Sequence, residues 1–430
     1  MNKIRHHITV FEHESIKLNQ EINGTKFDEN KLRALRSFYG EKGVPYFSLI
    51  NNGVRFNEFV GVIQVGNILI EVLPKIDKYN DQNHNVVKWR EILIGMLRSI
   101  ASFEVRATSQ SHLKIRPNNI LDLYFEIFIT EVEYLIHNGL VKKYRKKDGN
   151  IHVLKGNLNF GKQIQQNLIH PEKFYVKHTI YDFVHQLHLI IYKAITLLKL
   201  INTNNALNSR VGALLLNFPD MPDIKISDSV FEKLVFNRKT QIYKKAIDIA
   251  KLLLLKYHPD LCGGKNDILA LMFDMNKLWE KYVFVCLKKS KHKNFSITAQ
   301  CEKKFWKPDS GNKSCIKPDI VIINGKSNCF VIDTKWKNLN GNNPSPDDLR
   351  QMYVYHVFFN ANKVAMVYPC INTSQVLGKY YDPIIVDKMD KECSLIFISI
   401  PDNVNGKKNM VSLLQEEIIK VFEKFIDNRE

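Results

Sequence analysis

Residues Pro318–Lys337 read PDIVIINGKSNCFVIDTKWK. Two apolar runs, Ile320–Ile323 and Cys329–Ile332, flank the polar stretch Asn324-Gly325-Lys326-Ser327-Asn328. That is the sequence form of a β-hairpin. A turn symmetric about Lys326 sets Asp319 opposite Asp333, each seven residues from the centre. Side chains two apart on a strand share a face, so Lys335 joins Asp333. Two carboxylates and one ammonium are therefore expected at the open end of the hairpin, unless a β-bulge shifts the register.

Such a trio suits metal-assisted phosphodiester hydrolysis. Carboxylate oxygens match a hard cation such as Mg²⁺, which keeps several waters and is held by one or two protein carboxylates plus substrate phosphate. The cation polarises the phosphoryl oxygen and acidifies a bound water. A lysine can orient the attacking water or stabilise charge developing on the phosphate. The competing reading is an ordinary hairpin with solvated charged ends. For Pro-Asp alone that reading wins, because the dipeptide also occurs at 219–220, 222–223, 259–260, 308–309, 346–347 and 401–402. The Asp333-Thr334-Lys335 ending of the apolar partner strand is what raises the nuclease reading to compete with it.

The 430 residues suggest two or three domains, and 45% hydrophobic with 11% aromatic residues suffices for packed cores rather than disorder. Lys+Arg number 62 against 44 Asp+Glu, a formal charge of +18. The excess favours a polyanionic partner, nucleic acid first. A Lys-, Asn- and Ile-rich composition gives the same excess without any such partner, so charge only supports the reading. No apolar run reaches the roughly 18 residues of a membrane span. The N-terminus lacks the apolar core and cleavage site of a secretory signal. The seven cysteines all lie in the C-terminal half, with no Cys-x-x-Cys. Reduced thiols in a cytoplasmic protein are expected, rather than disulfides or zinc ligands.

Along the chain, residues 4–75 read as β-rich. Ile8–Phe11 and Ile16–Leu18 are strand candidates, and a short helix is expected over Asp28–Tyr39. Phe59–Val65 and Ile68–Leu73 flank Gly66-Asn67, a hairpin signal. After a polar linker at 77–85, helices are expected over Val86–Ile100, Ile120–Tyr144, Val184–Leu200 and Lys239–Leu255. The basic run Lys142–Lys147 is read as the C-terminal end of the second of these, suited to the helix dipole, and contact with phosphates and a solvated helix end both stay open for it. Leu154–Phe160 reads as extended, and Phe218–Asp223 as a Pro-broken loop. Cys262-Gly-Gly-Lys265 lacks the upstream glycine and following Ser/Thr of a phosphate loop. The chain is therefore not expected to be an NTP-driven motor itself. A helix over Ile268–Lys288 carries Glu280. A strand over Phe295–Gln300, the hairpin, a helix over Asp347–Phe359 bearing Gln351, strands over Val364–Tyr368 and Leu395–Ile400, and a helix over Met410–Ile426 complete an α/β sandwich. Two rival features rank lower. Glu302-x-Lys304 has no Pro-Asp strand at hairpin distance before it, and His185/His188 on an apolar helix read better as satisfied histidines than as metal ligands.

With these residues in view, the chain resembles the McrC subunit family of McrBC-type modification-dependent (5-methylcytosine) restriction systems. Phe59-Val-Gly-Val-Ile-Gln-Val with Ile70-Glu-Val-Leu-Pro-Lys-Ile is similar to the family's N-terminal signature, and Leu154-Lys-Gly-Asn-Leu-Asn-Phe to its central motif. Phe273-Asp-Met-Asn-Lys-Leu-Trp-Glu-Lys-Tyr-Val resembles the helix opening its nuclease domain. Asp319 with Asp333-Thr-Lys335 fits its PD-(D/E)xK core, and Gln351-Met-Tyr-Val-Tyr355 resembles the Gln-xxx-Tyr element of related nucleases. One stretch departs: Val184–His188 stands where the family has an Asp-x-x-Asn-like sequence opening a helix.

The resemblance implies an α/β protein with a β-rich and helical N-terminal part and a C-terminal PD-(D/E)xK, restriction-endonuclease-like domain. The expected division is a β-rich domain over 1–80, a helical partner-docking region over 81–262 and the endonuclease over 263–430. It implies Asp319, Asp333 and Glu280 as metal ligands, Lys335 as the catalytic lysine and Gln351 as an accessory residue, with Mg²⁺ as cofactor. It further implies a McrB-like AAA+ hexamer that binds and hydrolyses GTP, its GTPase stimulated by this chain, and double-stranded modified DNA as substrate. Two other readings stay open: a self-sufficient metal-dependent repair or recombination nuclease, and a DNA-binding activator of a partner NTPase that does not cut.

Overall fold

The structure, a computed structural model, describes residues 6–65, 68–75, 82–104, 120–258, 268–290, 295–324, 328–337, 339, 343–381, 388–401 and 409–427. The expected turn at Gly66-Asn67, the tip of the 318–337 hairpin, most of the 77–85 linker and the Cys262–Lys265 stretch lie outside the described residues. The chain is mixed α/β and forms two compact units, one of residues 110–259 and the other of residues 5–109 with 260–430. Compactness thus joins the N-terminal β-rich segment to the C-terminal part and cuts the chain differently from three consecutive segments. Among the described residues, no helix is long and apolar enough to cross a membrane.

The two-segment unit holds two main sheets. In the first, His6–Phe11 runs parallel to Ile68–Leu73, which pairs antiparallel with Phe59–Val65. Phe59–Val65 pairs on its other side with Ile268–Asp274, Leu271 facing Val62. The expected helix over Ile268–Lys288 is therefore corrected: its first seven residues are a strand, and the helix is Met275–Lys289. A short, wholly apolar run suits a doubly buried strand as well as a buried helix, so periodicity does not separate them. Asp274 ends the strand and caps the helix, its side chain accepting from Asn276 N and Lys277 N. One face of this sheet, with Ile8, Val10, Ile63, Ile70 and Val72, packs on Phe27, Leu32, Leu35, Phe47 and Phe56. The helix Glu29–Tyr39 that supplies Leu32 and Leu35 is capped by Asp28, as its sequence suggests. On the other face, Arg90 of the Gln82–Glu104 helix donates to the fully buried Glu71 at 2.5 and 2.7 Å. Burial favours the protonated form of Glu71, but His7 and Arg90 outweigh it and hold the pKa below the usual carboxylate value.

Gly61 lies where Phe59–Val65 crosses Ile268–Asp274. Its φ is +142°, and a Cβ there would meet the Leu271 carbonyl oxygen at 2.0 Å. Gly61→Ala is expected to destabilise this sheet by about 2–3 kcal/mol, from backbone strain plus overpacking. Thermal unfolding checks this, with Gly378→Ala as comparison, since a Cβ there meets nothing closer than 3.5 Å.

The second sheet contains the hairpin. Its strand order is 295–299, 320–324, 328–334, 363–370, 388–399, 374–381. The first three are antiparallel to one another, 328–334 runs parallel to 363–370, 363–370 runs parallel to 388–399, and 374–381 pairs antiparallel with 388–399. Parallel neighbours need a crossover. Between 328–334 and 363–370 it is the helix Pro346–Phe358, capped by Ser345 with proline in its first turn. Val321, Val331, Val364, Met366 and Leu395 pack on Met352 and Tyr355 of that helix. Helices Met275–Lys289 and Met410–Asp427 pack on each other and on this sheet, and Phe330 meets Phe425. The strand Ser374–Tyr381, unexpected from sequence, lies at the sheet edge and is mostly exposed, which blurs its alternation.

The 110–259 unit is mainly helical. The helix expected over Ile120–Tyr144 ends at His137, and Lys143–Ile151 is a strand paired with Phe174–Asp182. Gly139 takes a positive φ of +83° and Asn138 Nδ2 donates to Tyr134 O, which closes the helix before the basic run. Lys143–Lys147 therefore do not serve a helix dipole. Leu154–Phe160 is extended only in part: Asn157–Leu158 pair with Phe174–Asp182, and Asn159 caps a helix starting at Phe160. The helix Asn205–Asn217, also unexpected, follows Gln186–Ile201 after a cap by Asn204.

Candidate active site

The hairpin register is symmetric about residue 326: Ile320 faces Ile332, Val321 faces Val331 and Asn324 faces Asn328. No bulge intervenes, so Asp319, one residue before its strand, and Asp333 arrive at the same end of the pair. Asp319 is fixed by its neighbour strand. Its Oδ2 accepts from Thr334 N at 2.7 Å and Thr334 Oγ1 at 2.9 Å. Asp333 is 3% exposed, and its Oδ2 lies 2.8 Å from Lys335 Nζ. Lys335 N donates to Val367 O at 2.9 Å, which carries the ladder to the parallel neighbour one residue past the strand end.

Glu280 comes from the Met275–Lys289 helix and accepts a hydrogen bond from Gln300 Nε2. Gln300 has a left-handed φ of +55°, and its N–H donates to Asp319 O at 2.9 Å. A non-glycine residue in that conformation is held by its surroundings. Gln300 thus ties Glu280 to the hairpin's first strand. Gln351 stands one step back: its Nε2 donates to Tyr355 OH at 2.7 Å, and Tyr355 OH donates to Lys317 O at 3.3 Å.

The carboxylates feel one another. Burial, then Asp319, pushes Asp333 up to about 6 despite Lys335. Burial raises Asp319 too, Glu280 adding to it against the Thr334 hydrogen bonds, and burial with Asp333 raises Glu280 against Gln300. Burial works against the Lys335 charge, but Asp333, Asp348 and Asp319 outweigh it and raise its pKa. An ion pair normally lowers its acid partner. Here both members move up, because the desolvated, crowded carboxylates outweigh one ammonium.

Sequence reasoning missed Asp348, which lies 3.5 Å from Lys335 Nζ and 2.5 Å from Lys337 Nζ. Its place in the first helical turn after Ser345-Pro346 explains the miss, since acidic residues there read as helix-dipole partners. Gln300 was also missed, whereas Tyr355 was named only as the end of the Gln351–Tyr355 element. Tyr355 is pushed up to about 12 by burial and by the nearby acids, against the Gln351 hydrogen bond.

Among the described residues, no three His, Cys, Asp or Glu side chains are gathered into a closed metal shell. The donors present nonetheless suit a hard cation bound by two carboxylates: oxygen ligands, buried at Asp333 and half-buried at Asp319, each made costly to ionise by the next. A cation that keeps most of its waters asks for no more from the protein. The lower-ranked candidates lie elsewhere. Lys304 is exposed on a separate two-stranded hairpin. His188 is fully buried, with Nδ1 2.7 Å from Phe183 O and Nε2 3.1 Å from Tyr243 OH; His185 Nε2 lies 2.8 Å from Val141 O. His188 is a satisfied core histidine, and half-buried His185 is bonded through Nε2 only, its Nδ1 having no hydrogen-bond partner among the described residues.

Fold and site together define a mixed α/β protein with a buried acidic centre and a lysine at the open end of a central hairpin. A family model described as McrBC 5-methylcytosine restriction system component matches residues 54–369, and the chain belongs to that family. No curated protein matches it. Among solved structures, the chain is similar to one in the refined half-complex from a tetradecameric assembly of Thermococcus gammatolerans McrB AAA+ hexamers with bound McrC. Identity is 18%, coverage 98% of this chain and 100% of that one, and the TM-score 0.66. A chain in the cryo-EM structure of the Thermococcus gammatolerans McrBC complex matches at 18% identity over 67% of this chain and 90% of that one, with a TM-score of 0.45. At such identity the first likeness is one of fold.

Proposed function

We propose that the chain is the endonuclease subunit of a McrBC-like restriction system. It cuts double-stranded DNA carrying 5-methylcytosine, with Mg²⁺, beside a McrB-like AAA+ hexamer whose GTPase it stimulates. The observation that carries this reading is the Asp319–Asp333–Lys335 constellation, Asp333 buried and the other two half-buried, in a chain of the McrBC family. The C-terminal sheet with its flanking helices is read as the PD-(D/E)xK domain. Likeness of fold to a chain from an assembly of McrB hexamers with bound McrC supports the partner.

Asp319 and Asp333, aided by Glu280, would hold the cation, which when bound supplies charge neutralisation and an acidified water. Thr334 limits rotation of the Asp319 carboxylate, and Gln300 does the same for Glu280. Asp333 and Asp348 keep Lys335 charged and pointed at the acidic end of the hairpin, where it can stabilise charge developing on the phosphate. Tyr355, held by Gln351, braces the backbone at Lys317 just before Asp319.

The test is plasmid cleavage by the chain mixed with the AAA+ protein of its own restriction locus. Cutting of methylated but not unmethylated plasmid, dependent on GTP and Mg²⁺, is expected, with no GTP or ATP hydrolysis by the chain alone. Efficient cutting by the chain alone supports a self-sufficient nuclease instead. GTPase stimulation without any cutting supports a non-cleaving activator. Lys335→Ala is expected to lower the cleavage rate about 10²–10³-fold, the usual cost of one charge-stabilising donor, while Mg²⁺ still raises the melting temperature of the variant.

A further inference from the structure

Residues 303–317 carry five lysines and one acid, Asp309. Lys303–Trp306 and Ser314–Ile316 form a two-stranded hairpin outside the main sheet, with a bulge between Lys304 and Trp306. Two side chains anchor it. Lys303 Nζ donates to Phe358 O at 2.9 Å and lies 4.5 Å from the Phe359 ring centre. Phe305 packs on Phe358 at 5.2 Å. The hairpin is therefore fastened to the end of the helix that brings Asp348 and Tyr355 to the acidic centre. Its second strand leads through Lys317, whose carbonyl receives the Tyr355 hydroxyl and whose charge acts on Glu280, directly into Asp319.

Of the rest, Ile316 is partly buried against the core of the main sheet and Cys315 is half-buried, while the charged and indole side chains face water. Lys304, Lys307 and Lys313 are exposed, and Trp306 is 60% exposed. Lysines on a free strand edge are explained by protection against edge-to-edge pairing. An exposed indole is not, because it adds apolar surface to the edge the lysines protect. Cations alternating with an aromatic ring suit a chain of phosphates with apolar sugar and base surface between them.

We propose that this hairpin grips the DNA duplex beside the scissile phosphate, Lys304, Lys307 and Lys313 meeting backbone phosphates and Trp306 packing on the sugar–base edge. The inference rests on the nuclease reading above and adds the surface that holds the substrate.

The experiment measures binding of the full-length chain, carrying Asp333→Asn to prevent cutting, to a fluorescent methylated duplex across a salt series. Lys304→Ala/Lys307→Ala/Lys313→Ala should reduce the slope of log affinity against log salt by about 2–3, close to 0.9 per phosphate contact. Trp306→Ala should weaken binding roughly tenfold, as its apolar contact with sugar and base edges is lost, with the slope kept. A charge-matched control, Lys146→Ala/Lys147→Ala/Lys155→Ala in the other unit, should leave both unchanged. An unaltered slope in the hairpin triple variant, an equal drop in the control, or no binding by the parent chain overturns the inference. Tighter binding of single strands than of the duplex overturns it as well. Plasmid cleavage by the wild-type chain with its AAA+ partner is scored in parallel: if that cutting occurs and the hairpin variants bind normally, only the grip is wrong, and if no metal-dependent cutting occurs, the nuclease reading itself fails.

Discussion

Asp333→Asn should bring DNA cleavage to background while making the metal-free protein more stable. The two effects share one cause. Asp333 is 3% exposed, sits against Asp319 and is pushed up to about 6. Its unfolded value is near 3.9. Folding therefore favours the protonated form, and between about pH 4 and pH 6 the folded state binds more protons than the unfolded one. The stability tied to this carboxyl is full below pH 4 and is lost as pH rises through 6. At pH 7.5 the ionised group costs on the order of 1–3 kcal/mol. Asparagine removes that cost in a side chain of the same shape. Part of the gain is offset, because Lys335 loses its 2.8 Å partner and keeps only Asp348 at 3.5 Å. A net gain of about 1 kcal/mol in chelator is expected. It should shrink as the pH is lowered from 7.5 to 5, where wild-type Asp333 protonates. Adding Mg²⁺ should reverse the order, since a ligand that binds only the folded wild type stabilises by mass action. Thermal unfolding at both pH values, with chelator and with Mg²⁺, reads all of this. A less stable variant in chelator at pH 7.5 would show that the Lys335 ion pair outweighs carboxylate crowding. Near wild-type cleavage by the variant would remove Asp333 from the chemistry.

Much of this site was legible in the sequence because a hairpin is local. Apolar runs of equal length about a polar centre predict the register, and with it the meeting of Asp319, Asp333 and Lys335. Glu280 was legible as a helix residue, though its tie to Gln300 was not, because that contact depends on a left-handed backbone that a glutamine does not announce. What failed were segments whose partners lie far off in sequence. Ile268–Asp274 becomes a strand because Phe59–Val65 offers it an edge some two hundred residues upstream. No local signal reports that pairing, and the apolar run fits either structure. Lys143–Ile151 was misread for a related reason. Its basic residues are compatible with a helix end, and only the antiparallel partner Phe174–Asp182 makes it a strand. Asp348 was hidden by double duty, being both a first-turn acid of a helix and a neighbour of Lys335.

Trp336, one residue past Lys335, joins the two sheets of its unit, and its removal should cost more stability than any other single change considered. Its indole packs edge-on against Trp89 at 6.4 Å and Trp279 at 5.4 Å. Its Nε1 donates to Glu12 Oε1 at 2.9 Å, and its backbone N–H donates to Asn276 Oδ1 at 3.2 Å. Glu12 stands at the end of the first N-terminal strand, 2% exposed, and also receives Lys75 N at 2.8 Å. Trp336→Ala should cost about 3–5 kcal/mol by opening a cavity among large rings, enough to unfold a marginal domain at 37 °C. Trp336→Phe separates packing from the polar contact. It keeps most of the volume and should cost about 1–2 kcal/mol, chiefly the lost hydrogen bond and the carboxylate oxygen left behind. The second cost depends on pH. Burial pushes Glu12 up to about 7, against the hydrogen bonds from Lys75 and Trp336. Folding therefore favours protonated Glu12, and the stability linked to it is present below about pH 4.5 and lost as pH rises through 7. Without the indole donor its pKa climbs further, so the ionised carboxylate at pH 8 is buried with one fewer partner. The gap in melting temperature between wild type and Trp336→Phe should be wider at pH 8 than at pH 6, and Glu12→Gln in the Trp336→Phe background should close most of the difference between the two pH values. A gap independent of pH would mean that Trp336 acts by packing alone and that Glu12 does not sense it.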